Sequence, residues 1–149
     1  MKIYLIVILF VFFVISALVV WYCFYVRYKF YKDMVYACKF LRNNISFNKR
    51  KFPDLFQEIV KKISPSSKYI LNNHEKKLIF FKKEDFNIAT EFIASIGKGD
   101  VDFELNNLSY YTDNFEELSK TSKEQLDKNG MMYFKLIIGI GLAVCIILI

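Results

Sequence analysis

Three acidic residues alternate at Asp100, Asp102 and Glu104, just past the glycine pair of Gly97-Lys98-Gly99. Carboxylates gathered at a turn can ligate a hard cation or perform acid–base chemistry. At a helix start the same residues serve as caps and as partners of the helix dipole, and we read them so. The glycine pair lacks the fuller spacing of a Walker or dinucleotide loop, which leaves a helix C-cap and turn. His74 is the single histidine and cannot build a metal site alone. Cys23, Cys38 and Cys145 show no CxxC or other ligand spacing, so neither a metal cluster nor a disulfide framework is indicated. Lys49-Arg50-Lys51 has no nucleic-acid-binding motif around it and reads as a solvated loop or a lipid-headgroup contact. We therefore expect no catalytic residue, no cofactor-binding or metal site, no nucleic-acid partner, and a protein that is not an enzyme.

The elements that carry these residues are organised by the two ends of the 149-residue chain. Ile3 to Val26 is an uncharged apolar run. As a helix it would be about 36 Å long, more than the ~30 Å hydrocarbon core of a bilayer. Trp21, Tyr22 and Tyr25 stand at its end, where aromatic rings anchor at the lipid–water boundary. The run is too long for a signal-peptide core, and bulky Trp21-Tyr22 before Cys23 argues against a lipoprotein site. Residues 131–149 form a second span of roughly 28 Å, from whose start Lys135 can snorkel to the interface. The expected organisation is a transmembrane helix at 3–26, a cytoplasmic helical domain at 27–130 and a transmembrane helix at 131–149.

Orientation follows from charge. Arg27 to Gly97 holds fifteen Lys or Arg against seven Asp or Glu, whereas Lys98 to Lys128 holds four against eight. Arg27, Lys29 and Lys32 flank the first span on its inner side, with only Lys2 on the other, and Lys120, Lys123 and Lys128 precede the second. Bases concentrate on the cytoplasmic flank of a span. Both termini are thus expected outside and the middle inside.

Within the middle, Tyr31, Met34, Val35, Cys38, Leu41 and Ile45 recur at helical spacing and continue the first span. Asn43 to Lys51 is polar and reads as a loop. Pro53 and Asp54 suit a helix start, followed by the apolar face Leu55, Phe56, Ile59, Val60 and Ile63. Ser64 to Ser67 ends it, and Lys68 to Lys83 is read as helix in preference to a hairpin. Asp85 is expected to cap a short helix bearing Phe86, Ala89, Phe92, Ile93 and Ile96. A long helix from Asp100 carries Leu105, Leu108, Tyr111, Phe115, Leu118 and Ser122. The fold class is all-α. Gly139, Gly141 and Ala143 would let the second span approach Ser16 and Ala17 of the first. Arg27, Lys29 and Lys32 are candidates to meet membrane lipid or an acidic partner; Glu116, Glu117 and Glu124 are candidates to meet a basic one.

Three stretches resemble a known family. Phe92-Ile93-Ala94-Ser95-Ile96-Gly97-Lys98-Gly99-Asp100 looks like its apolar–Gly–two-residue–Asp turn, and Lys128-Asn129-Gly130-Met131-Met132-Tyr133 runs into a Gly-containing last span. Leu41-Arg42-Asn43-Asn44-Ile45-Ser46-Phe47 is a weaker match. The chain resembles stage III sporulation protein AB of endospore-forming Firmicutes. Glu104 stands where that family usually has Gln, Ile137 where it usually has Gly, and Arg50-Lys51-Phe52 where it has Thr-Pro-Leu. Ser64 to Lys83 is shorter than usual. The resemblance implies a mother-cell membrane protein facing the forespore, within the channel apparatus between the two compartments. It also implies a helical domain similar to type II secretion F and pilus platform domains. The implied partners are a secretion-type ATPase of the same operon and other membrane subunits of the channel. Two other functions fit parts of the sequence: a small membrane enzyme using the alternating acids, and a holin-like membrane-active protein.

Overall fold

The apolar run at the start does not end where the charges begin. In the computed structural model, which describes residues 2–48, 52–72 and 83–148, helix α1 extends from Lys2–Asn48 without a break. At 1.5 Å per residue it is about 70 Å long, twice what the span alone needs. Its first half is bare on most sides: Ile3, Leu5, Ile8 and Phe12 are each more than three-fifths exposed. Its second half buries one stripe, Phe30, Tyr31, Met34, Ala37, Cys38 and Leu41, at the three-and-four spacing of a single helix face.

The expected loop from Asn43 does not form over residues 43–48. The Asn44 side-chain amide donates to the Phe40 carbonyl at 2.8 Å, and Ile45 packs on the core edge, so the helix persists through a polar stretch. Lys49-Arg50-Lys51 and His74 lie outside the described residues.

A second rod runs antiparallel to the first. Helix α5 (Val101–Gln125) passes through one wide π-helical turn, Leu126–Gly130, straight into α6 (Met131–Leu148). The turn is marked by the Met131 N–H donating to the Leu126 carbonyl, five residues back. The domain helix and the second span are thus one 48-residue piece. Antiparallel packing sets Cys145 beside Ile6, Gly141 beside Phe13, Tyr133 beside Phe24 and Gln125 beside Arg27. Lys2 and Leu148 therefore sit at one end of the described molecule and the head at the other. The two rods include helices long and apolar enough to cross a membrane.

Three short helices complete the head: α2 (Phe52–Lys62), α3 (Pro65–Asn72) and α4 (Lys83–Ser95). The expected face of α2 is buried through Leu55 and Ile59, with Ile63 just beyond its end. The helix expected over 68–83 is present to Asn72, and 73–82 lies outside the described residues. Helix α4 buries Ala89 and Phe92, with Ile96 just after it, and Gly97 ends the turn at φ 81°, the left-handed region open to glycine. Phe92 meets Tyr111 at 5.1 Å and Phe115 at 5.5 Å edge-on, and Phe115 also faces Tyr31. One core joins α1, α2, α4 and α5, with Leu71 bringing in α3. The fold is all-α, with no strand among the described residues.

Candidate functional site

The head joins the spans through a buried ion pair. Arg27, one residue past the first span, places Nε 2.9 Å from Asp85 Oδ2 and Nη2 3.0 Å from Oδ1, a two-point fork. Its Nη1 donates to Gln125 Oε1 at 2.8 Å, and the Tyr31 hydroxyl donates to Asp85 Oδ1. The side chains are 15% and 2% exposed, so solvent screens the pair little. Burial first, and the Asp85 carboxylate second, hold the Tyr31 phenol well above its usual range. Helix α4 begins at Lys83, which puts Asp85 inside its first turn and aims the carboxylate at α1. Four side chains thereby fasten α1, α4 and the end of α5 where the rods leave the head.

A second clamp was not anticipated from the sequence. Asp33 Oδ2 accepts from the Ser64 N–H at 2.9 Å and from the Ser67 hydroxyl at 2.8 Å, and Lys29 Nζ stands 3.6 Å from Oδ1. This buried carboxylate fixes the junction of α2 and α3 to α1. The available signal was a lone acid between Tyr31 and Met34 in an otherwise apolar stripe. Close by on α1, burial pushes the Cys38 thiol up to about 12, which leaves it inert as a nucleophile.

The alternating acids divide their labour. Asp100 Oδ1 accepts from the Phe103 N–H at 2.9 Å as the N-cap of α5. Glu104 Oε1 accepts three backbone N–H groups, Gly97, Lys98 and Gly99, at 2.8, 2.9 and 3.1 Å. Asp102 is exposed. No group of three or more His, Cys, Asp or Glu among the described residues could hold a metal ion. Glu104→Gln keeps an acceptor for the three N–H groups and should change stability by less than about 1 kcal/mol. Glu104→Ala removes it and should cost about 1–3 kcal/mol, read from urea unfolding of the detergent-solubilised chain.

The candidate contact residues separate. Arg27 is engaged internally, and Lys29 leans on Asp33. Lys32 and Glu116 come together in a groove between α1 and α5, of about 360 Å³, with Lys120 and Lys123. Glu116 also pairs with Lys39 at 2.6 Å across the two helices. Glu117 lies instead in a groove between α4 and α5, of about 400 Å³, beside Glu91, Ile88, Tyr110, Tyr111 and Asn114. Glu124 is exposed near the end of α5.

The small residues of the spans are sorted by the structure. A Cβ on Gly141 would lie 2.8 Å from Phe13 Cβ, whereas one on Gly139 would meet nothing within 4 Å. Gly141 and Cys145 are buried, and Ala143 is exposed. On the other helix Ala17 is fully buried, and the Ser16 hydroxyl turns back to the Phe12 carbonyl at 2.9 Å. The close approach is therefore Gly141 on Phe13, and the Gly139/Ala143 face points away. Gly141→Val should overpack the seam by about 1–3 kcal/mol, while Gly139→Val should leave it intact. An Ile6→Cys variant, oxidised against native Cys145, reads the difference: Gly141→Val should lose the cross-link and Gly139→Val should keep it.

The family model for stage III sporulation protein AB matches residues 67–149, more than half of the chain. The chain belongs to the stage III sporulation protein AB family. Membership implies a role in the third stage of spore formation. No curated protein and no solved structure matches the chain. The stretch matching stage III sporulation protein AB contains 92–100 and 128–133, while 41–47 precedes it. It also contains Asp85, Glu104, Gln125, the π turn and Gly141. Arg27, which meets Asp85 and Gln125, and Phe13, which faces Gly141, lie on α1 outside it.

Proposed function

We propose that the chain is a non-enzymatic platform subunit of the sporulation channel between mother cell and forespore. Its head, akin to type II secretion F and pilus platform domains, faces the cytoplasm of the mother cell. There it docks the secretion-type ATPase of the same operon and passes that enzyme's movements to other membrane subunits. The observation that carries this reading is the continuity of both rods. Helix α1 runs unbroken from span to head, and α5–α6 does so through one π-helical turn, so a push on the head is passed along both helices to the spans. The buried Arg27–Asp85 pair stiffens the crossing point. The basic flanks at Arg27, Lys29, Lys32, Lys120, Lys123 and Lys128 support a head-inside orientation. The groove holding Glu91, Glu117 and the exposed ring of Tyr110 suits a basic, aromatic-accepting surface of the ATPase.

Co-purification of the detergent-solubilised full chain with the ATPase tests the reading. Association is expected at low salt, and Glu91→Lys with Glu117→Lys should weaken it at least tenfold. Two folded proteins that stay apart at low salt would rule docking out.

A further inference from the structure

Lys32 of α1 and Lys120 and Lys123 of α5 line one groove where the head meets the spans, together with Tyr28 and Ser119. Among the described residues none of the three lysines has a carboxylate within ion-pair distance. The acid in the lining, Glu116, already holds Lys39. The groove therefore concentrates positive charge that the chain does not neutralise.

Helix direction explains the convergence. Side chains lean toward the N-terminus of their helix. Helix α1 starts at the membrane end, so Lys32 leans back toward the bilayer, and its Nζ lies 6.0 Å from the Tyr28 ring centroid. Helix α5 starts at the far end of the head, so its lysines lean away from the membrane; with Gln125 opposite Arg27, Lys123 leans toward the level of Lys32, where Lys120 already stands. Lys32 stands six residues beyond Val26, about 9 Å along the axis. Its backward reach brings the ammonium into the headgroup layer, about 5–8 Å thick on each side. About two to three turns nearer the membrane, Trp21 stacks on Tyr25 at 5.6 Å, the aromatic level of the interface.

We propose that this groove is a binding site for a phosphate-bearing anion, supplied by the headgroup of an anionic phospholipid in the adjoining leaflet. The ammonium groups meet the phosphate, the Tyr28 and Ser119 hydroxyls add neutral donors, and the acyl chains run down beside the aromatic belt. Because α1 and α5 each contribute lysine, a bound headgroup bridges the two rods. The inference needs only that the apolar helices lie in a bilayer, and so stands apart from ATPase docking.

The test uses the full chain in a zwitterionic detergent, titrated with dihexanoyl-phosphatidylglycerol, dihexanoyl-phosphatidylcholine or inorganic phosphate while the thermal midpoint is followed. Phosphatidylglycerol should raise the midpoint saturably, and the other two should not at the same concentrations. Changing all three lysines to Gln should weaken phosphatidylglycerol binding about a hundredfold at low salt, roughly fivefold per lysine. A control with Lys61→Gln, Lys68→Gln and Lys98→Gln should lose less than about threefold. The three-arginine version of the groove, which keeps the charge, should still bind. Equal binding by the glutamine variant and its control would overturn the proposal, as would loss of binding in the arginine version. Protection by inorganic phosphate equal to that by phosphatidylglycerol would overturn the lipid as the source.

Discussion

Arg27→Ala should destabilise the head by about 3–5 kcal/mol, because it strands the Asp85 carboxylate in a site only 2% exposed. Most of that loss is the cost of a buried carboxylate that keeps its bond from Tyr31 but loses its counter-ion, with a smaller part from the freed Gln125 oxygen. Urea unfolding of the detergent-solubilised protein, followed by tryptophan fluorescence from Trp21, measures it. Asp85→Asn should lose less, since its amide still offers an oxygen to the guanidinium. Arg27→Met combined with Asp85→Leu should recover much of the stability, because a well-packed apolar pair avoids the desolvation of two ions. Recovery in the double variant alongside failure of the single one separates a stranded charge from general damage to the core.

Phe115→Ala should cost a comparable 3–5 kcal/mol. The ring is fully buried at the middle of the head, edge-on to Phe92 and within ring contact of Tyr31 and Tyr111. Its removal leaves a cavity walled by three helices, none of which can close it without unseating another. Tyr110→Ala, one turn away on the outer surface and 62% exposed, should change stability by less than about 0.5 kcal/mol. The contrast is measurable in the same unfolding assay.

What the sequence reveals of this molecule depends on whether the cause is local. The spans are legible because apolar length is counted along the chain. The stripes of α2, α4 and α5 are legible because spacing alone sets a helix face, and Leu55, Ala89, Phe92, Leu108 and Phe115 are buried as their spacing requires. The cap at Asp100 and the turn at Gly97 are likewise decided within a few residues.

Partners distant in the chain are another matter. Asp85 reads as a helix cap because its neighbours say so, while its partner Arg27 is on another helix. Asp33 has no neighbour in the chain that names its partners until the fold brings Ser64 and Ser67 to it. Asn43 to Asn48 is polar enough for a loop, yet a helix already formed on one side and Ile45 on the core edge carry it onward. In the spans Ser16 and Lys135 are too few to distinguish one face from another. Counting small residues therefore could not choose between Gly141 and the Gly139/Ala143 face, which differ by a rotation the sequence does not encode.

The juxtaposition of Ile6 and Cys145 has a practical corollary. Packed helices run 8–10 Å axis to axis, so cargo fused to either terminus is delivered to the same spot on the same face of the bilayer. Complementary halves of a split reporter attached at the two tails would reassemble within a single polypeptide, lighting only when the antiparallel pair is closed.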